Sequence, residues 1–208
     1  MFSLQTIFGK GDRFYGLLED AAQAAANSAA ALRALVKSQG SEASLAEFKL
    51  ARRKEKELSD QISRELVNTF VTALDREDIE VLGNALYRIP KTIEKFADRY
   101  ALASQKLTDV DFGPRAEMIE LAANLVVEMV KGLRAMNLNK MKDLHDRLRG
   151  VEIEADRLIL ELYRDLYDGK YEGLQVLLIK DFFELLEKAI DRCREAGVVA
   201  YHIVLKNS

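Results

Sequence analysis

Apolar residues recur at three- and four-residue intervals along most of the chain, the period of a helix that buries one face. Near the C-terminal end, Ile179, Phe182, Leu186, Ala189, Ile190 and Cys193 share one arc, and Asp181, Glu184, Glu187, Asp191 and Glu195 share the opposite one. Leu144, Leu148, Ala155, Leu158 and Leu162 form a similar seam upstream. No alternating Val/Ile/Thr-rich run bounded by turn residues is present, so nothing argues for strands. The pattern predicts an all-α chain.

The breaks in this pattern divide the chain into six helices. The first runs from about Asp12 to Ser38 and stops at Gln39-Gly40. Ser41 is placed to cap the second, which reaches about Leu74. The third opens on the acidic turn Asp75-Arg76-Glu77-Asp78 and continues to about Leu107, with Pro90 inside it as a kink rather than an end. Asp111-Phe112-Gly113-Pro114 is the clearest break, with Pro114 in the first turn of the fourth helix. Asn137-Leu138-Asn139 separates the fourth from the fifth, and Asp168-Gly169-Lys170 the fifth from the sixth.

Short links make neighbouring helices antiparallel. The expected architecture is two tandem three-helix up-down bundles, residues 1–110 and 111–208, packed together as one domain. The run from Ala21-Ala22 to Ala29-Ala30-Ala31 suits close packing of helix backbones, and Phe2, Ile7 and Phe8 are expected to pack across a bundle end.

Composition narrows the function classes. Lys and Arg number 31 against 34 Asp and Glu, a net charge of −3, which gives no general nucleic-acid footprint. The one cysteine, Cys193, has no intrachain partner and lies in an apolar arc, as a small core residue would. No apolar run approaches the length of a membrane span, and Met1-Phe2-Ser3-Leu4-Gln5 has no basic region leading into an apolar stretch. The expected setting is the cytoplasm.

A six-residue stretch occurs twice. Glu94-Lys95-Phe96-Ala97-Asp98-Arg99 returns as Glu187-Lys188-Ala189-Ile190-Asp191-Arg192, an offset of 93 residues (187 minus 94). Self-similarity at half the chain length points to a duplicated unit. It also places two carboxylates one turn apart on the same helix face, twice.

The second copy sits in acidic company. On the sixth helix Asp181, Glu184, Glu187, Asp191 and Glu195 fall within one arc, and the fifth helix carries Glu152 and Asp156 four residues apart. Like charges at helical spacing repel. Such a set, facing a second pair across a groove, is a candidate oxygen-ligand site for a hard or borderline cation. An acidic stripe opposite an apolar one is also what a solvated helix face shows, so both readings stand on the residues alone. His145, seven residues before Glu152, is a candidate further ligand.

Three segments, Glu152 to Leu158, Phe70 to Ile79 and Lys180 to Cys193, resemble motifs of the PhoU-like family of phosphate-transport regulators. Glu152-Ile153-Glu154-Ala155-Asp156-Arg157-Leu158 resembles its E-x-E-A-D-x-L signature. Phe70-Val71-Thr72-Ala73-Leu74-Asp75-Arg76-Glu77-Asp78-Ile79 is similar to its F-[IV]-T-P-x-D-R-E-D-I segment, with Ala73 in place of proline. Lys180-Asp181 through Glu184-Leu185-Leu186-Glu187-Lys188-Ala189-Ile190-Asp191-Arg192-Cys193 is similar to K-D-x-x-E-L-L-E-x-A-x-D-R-C. The likeness is nearest to the branch associated with low-affinity inorganic phosphate permeases and runs in order from about Phe14 to Ile203.

The resemblance implies two three-helix bundles and a non-enzymatic regulator or accessory of phosphate transport. It implies that paired E(D)-x-x-x-D motifs on adjacent helices hold iron, zinc or another divalent or trivalent metal at the surface, with no organic cofactor. In the second bundle the implied ligands are Glu152, Asp156, Glu187 and Asp191, with Glu184 and Asp181 beside them. Implied partners are a phosphate transporter or its sensor machinery, reached at the inner face of the cell membrane, and no nucleic acid; self-association stays open. Arg157 and Arg192 beside the carboxylates motivate a phosphate or polyphosphate-type anion as a further ligand, against their plain role as surface ion pairs.

The first bundle departs from the motif. Aligning Lys56-Glu57-Leu58-Ser59-Asp60 with the fifth-helix signature keeps only the aspartate and needs a three-residue slip from the 93 offset. Arg88 and Lys91 replace Asp181 and Glu184 and are expected to pair with Glu94 and Asp98 along the helix, so metal binding there is expected to be weak or absent.

Two other functions compete with regulation. One is a carboxylate-ligated metalloenzyme acting on phosphate compounds; its oxidase variety is disfavoured because Lys142 and Val199, not glutamates, stand three residues before His145 and His202. The other is a metal-free helical scaffold.

Overall fold

The computed structural model describes the backbone of residues 4–39 and 42–208, and side chains from residue 13 onward except at 40–44, 47 and 51. Ser41 and the Phe2, Ile7 and Phe8 side chains therefore lie outside the described residues. Six helices are present among the described residues and no strand: α1 (Leu4–Lys37), α2 (Glu42–Asn68), α3 (Arg76–Ala103), α4 (Gly113–Gly132), α5 (Leu138–Tyr167) and α6 (Gly173–Lys206). A 3-10 turn, Ser104–Lys106, follows α3.

Two boundaries differ from the sequence expectation. Helix α1 begins at Leu4 rather than near Asp12. Helix α2 ends at Asn68, six residues before Leu74. The reason is local: Thr69, Val71 and Thr72 are β-branched and lose rotamer freedom in a helix. The free carbonyls at that end find a donor instead, because the Arg76 guanidinium bonds the carbonyl of Thr69 at 2.6 Å and that of Leu66. Asp75 and Asp78 hold Lys206 near the end of α6.

The other signals act as read. Helix α3 passes through Pro90 without ending. Pro114 lies in the first turn of α4. Asn137 caps α5 by accepting from the Lys140 N–H at 3.0 Å. Gly169 takes a φ of 80° in the turn before α6, a conformation that favours glycine.

One apolar core runs through both halves of the chain. Helix α1 packs on α4 as well as on α2 and α3, and α3 packs on α6. Where α1 meets its neighbours, Ala22, Ala25 and Ala29 are buried, so small side chains permit the close approach. Phe96 and Tyr100 of α3, Phe112 of the link, and Phe182 of α6 interlock with ring centroids 5.2–6.1 Å apart. That ring cluster ties the two halves together. Helices α2 and α5 lie at the flanks, each packed on two neighbours, and each leaves a groove against the following helix.

Burial confirms the internal repeat and sets its register. In α3, Leu86, Ile89, Pro90, Ile93, Phe96, Ala97 and Tyr100 are buried; 93 residues on, so are Ile179, Phe182, Phe183, Leu186, Ala189, Ile190 and Cys193. In the flanking helices, buried Phe48, Glu55, Ile62 and Leu66 map at the same offset onto buried Met141, Leu148, Ala155 and Ile159. One frame serves both helix pairs, so the three-residue slip is not needed. Ser59 and Ser63, rather than Lys56 and Asp60, stand opposite Glu152 and Asp156.

Candidate metal centre

The groove between α5 and α6 gathers three carboxylates. Glu187 and Asp191 are one turn apart on α6 and half-buried; Asp156 reaches them from α5. One carboxylate oxygen from each lies within 4.8 Å of the other two. Unit charges at that distance repel by about 3 kcal/mol per pair at an effective dielectric near 20. Burial, then the neighbouring carboxylates Asp191 and Asp156, push Glu187 above the usual carboxylate range. Burial, then Asp156 and Glu152, push Asp191 up as well. The site therefore favours either protons or a cation over bare negative charge.

Neighbouring carboxylates are committed elsewhere. Glu152, an expected ligand, accepts from Arg194 Nε at 2.9 Å. Glu184 accepts from the Tyr163 hydroxyl at 2.5 Å and pairs with Lys180 at 2.7 Å, which together hold it below the usual carboxylate range. Asp181 lies a further turn toward the start of α6, outside the three-residue cluster. No ion pair among the described residues engages Asp156, Glu187 or Asp191. The donor set, three oxygen ligands with no ion pair of their own among the described residues, fits a hard or borderline metal ion.

The structure places the remaining sequence candidates as follows. His145 does not turn toward the carboxylates. Its Nε2 lies 3.2 Å from Arg194 Nη1, and its ring stacks on Tyr201 at 4.7 Å. Burial, then the Arg194 charge, lower its pKa, opposed by Asp146. Arg157 pairs with Glu154 at 2.6 Å and with Glu161, and Arg192 pairs with Glu195. Cys193 is buried, with its thiol pushed up to about 12.

Two partners that shape the site were missed by sequence reading, Arg194 and Tyr163. Both act across the groove. Their only sequence signal is a position near the groove edge of a helix, which spacing alone does not resolve into a pair.

In the first half the corresponding residue, Glu94, is held by Arg52 of α2 at 2.9 Å rather than by Lys91 along its own helix. Arg88, expected to act locally, points to Glu195 of α6 at 3.9 Å. The expected intrahelical pairing gives way to pairs between helices.

The chain has the PhoU-like fold. A PhoU-like phosphate regulatory protein from Shewanella oneidensis MR-1 superposes with a TM-score of 0.82 at 15% identity, over 93% of this chain and 99% of that one. A second PhoU-like protein from the same organism gives 0.81 at 15% identity, over 92% and 99%. In sequence, the chain is similar to UPF0111 protein YkaA of Bacillus subtilis (strain 168), 24% identical over 148 residues, which is 70% of this chain and 71% of that protein. No family model matches the chain. The resemblance read from the three segments and the fold agree.

Proposed function

We propose that this protein is a non-enzymatic regulator of phosphate homeostasis that docks on phosphate-transport or phosphate-sensing machinery and carries a metal ion between α5 and α6. The observation that supports the role is the PhoU-like fold along 93% of the chain, shared with a protein described as phosphate regulatory. The metal reading is supported by the meeting of three carboxylates that no ion pair among the described residues engages.

Asp156, Glu187 and Asp191 would hold the ion, iron, zinc or another divalent or trivalent metal, and an all-carboxylate set of this kind suits hard cations best. A bound ion supplies positive charge at the surface, to which phosphate or a polyphosphate-type anion is attracted. Around it the chain's own residues fix the groove: Arg194 holds Glu152 and Tyr163 holds Glu184, so the ligand helix is positioned from both sides. No helix among the described residues is long and apolar enough to cross a membrane. The proposed place of action is the cytoplasm, peripheral to the membrane where a transporter sits. Against turnover, His145 faces an arginine and Cys193 is buried with a raised thiol pKa, a poor arrangement for a base or nucleophile.

Deletion of the coding sequence in its own host tests the role. Phosphate uptake or cellular polyphosphate should change, and the wild-type chain should restore it. Unchanged phosphate handling, or measurable phosphate-ester turnover by the pure metal-loaded protein, would reject the regulator reading.

A further inference from the structure

The two halves solve the same electrostatic problem differently. In the common 93-residue frame, Glu94 and Asp98 stand where Glu187 and Asp191 do, Ser59 and Ser63 stand for Glu152 and Asp156, and Arg52 stands for His145. The first-half groove therefore keeps its α3 carboxylates and lacks those from the flanking helix. What reaches across instead is a guanidinium.

Arg52 is 9% exposed. Its Nε donates to Glu94 at 2.9 Å, its Nη1 to Glu55 at 3.0 Å and its Nη2 to the Tyr87 hydroxyl at 3.3 Å. The guanidinium carbon lies 5.0 Å from the Tyr87 ring centre. Glu55, itself buried at 4% exposure, also accepts from the Ser28 hydroxyl of α1. One arginine thus connects α2 to α3 directly and to α1 through Glu55. No buried side-chain nitrogen or oxygen among the described residues lacks a partner. A planar fork with several partners is pre-organised, and lysine does not reproduce its geometry.

We infer that Arg52 is the resident cation of the first half: its guanidinium bridges α2 and α3 at Glu94, whereas at the matching Glu187 the second half, beyond its Arg194–Glu152 pair, leaves α5 and α6 to be bridged by a bound metal ion. The comparison with the second half rests on the metal reading proposed above; the role of Arg52 itself does not. Docking of α2 is then independent of metal, and docking of α5, already held by the Arg194–Glu152 and Tyr163–Glu184 contacts, tightens further with it. The chain responds to metal along one flank only, and the other flank is the fixed reference.

Hydrogen exchange on the full chain separates these parts. Adding zinc chloride to chelator-stripped protein should slow α5 amides around residues 150–163 by about fivefold or more and leave α2 amides around 52–66 unchanged. Glu94→Gln and Arg52→Lys should each speed exchange in α2 by roughly tenfold, as expected for losing hydrogen bonds to a charged group, and leave α5 unchanged. Glu94→Gln keeps the buried Arg52–Glu55 pair, so it remains informative if Arg52→Lys does not fold. The inference is overturned if α2 slows with zinc as much as α5, or if neither substitution loosens α2. Should zinc slow neither helix, the metal reading falls, and the response of α2 to the two substitutions alone decides the role of Arg52.

Discussion

Arg194 donates to Glu152 at 2.9 Å, while Asp156, one turn further along α5, faces Glu187 and Asp191 with no cation between them. Residues that spacing makes equivalent thus hold different roles. Asp156→Asn and Asp191→Asn should each weaken zinc or iron affinity by more than about 100-fold, beyond the roughly 10–100-fold typical of losing a group that only orients a ligand. Glu152→Gln should weaken it by about 10-fold at most, through loss of the orientation that Arg194 gives. Competition titration against a chromophoric chelator measures both. Equal losses at Glu152 and Asp156 would show that Arg194 yields Glu152 to the metal.

The same carboxylates set a pH dependence. Glu187 and Asp191 have pKa values raised in the fold, so the folded metal-free chain binds protons more readily than the unfolded one. Its stability falls as pH rises from the ordinary carboxylate range to the raised values, and is flat above them. Thermal melts of chelated protein between about pH 4 and about pH 7 should show wild type losing stability relative to Glu187→Gln. Zinc should stabilise more at the upper end, because it replaces protons there.

Glu55 titrates independently of that site. Burial is the main cause that raises its pKa to about 7, opposed by Ser28 and Arg52. The penalty of ionising it is absent below the unfolded value and complete above about 7. Relative to Glu55→Gln, wild type should lose on the order of 2–3 kcal/mol between about pH 5 and about pH 8, read from denaturant midpoints at fixed slope. A constant difference across that range would place Glu55 in a wetter setting than its 4% exposure indicates.

Two core changes probe the packing, one at the joint between halves and one inside the second half. Phe96 is fully buried among Tyr100, Phe112 and Phe182, so Phe96→Ala should cost about 3–5 kcal/mol. A Cβ added at Gly197 would lie 2.3 Å from Leu148 Cδ2 and 3.2 Å from Met129 Sδ. Gly197→Ala should therefore cost about 1–3 kcal/mol by overpacking, despite alanine's better helix propensity. Chemical denaturation measures both.

Helix number, type and most breaks were legible because period, caps and Pro114 act within a few residues. The end of α2 was not, since Arg76 folding back onto Leu66 and Thr69 is invisible to a period count. The acidic groove was legible as a stripe, and Asp156, Glu187 and Asp191 do meet there. Which stripe members stay free depended on Arg194 and Tyr163 crossing from the facing helix. The register of the repeat needed burial, because Ser59 and Ser63 share no chemistry with Glu152 and Asp156.

Elemental analysis of untagged protein, purified without chelator, decides whether Asp156, Glu187 and Asp191 hold a metal ion. Near-stoichiometric iron, zinc or a similar metal is expected in wild type, with its loss in Asp156→Ala plus Asp191→Ala and the helical content retained. Trace metal in wild type that also fails to rise after incubation with iron or zinc, or metal retained in the double variant, would contradict the metal site.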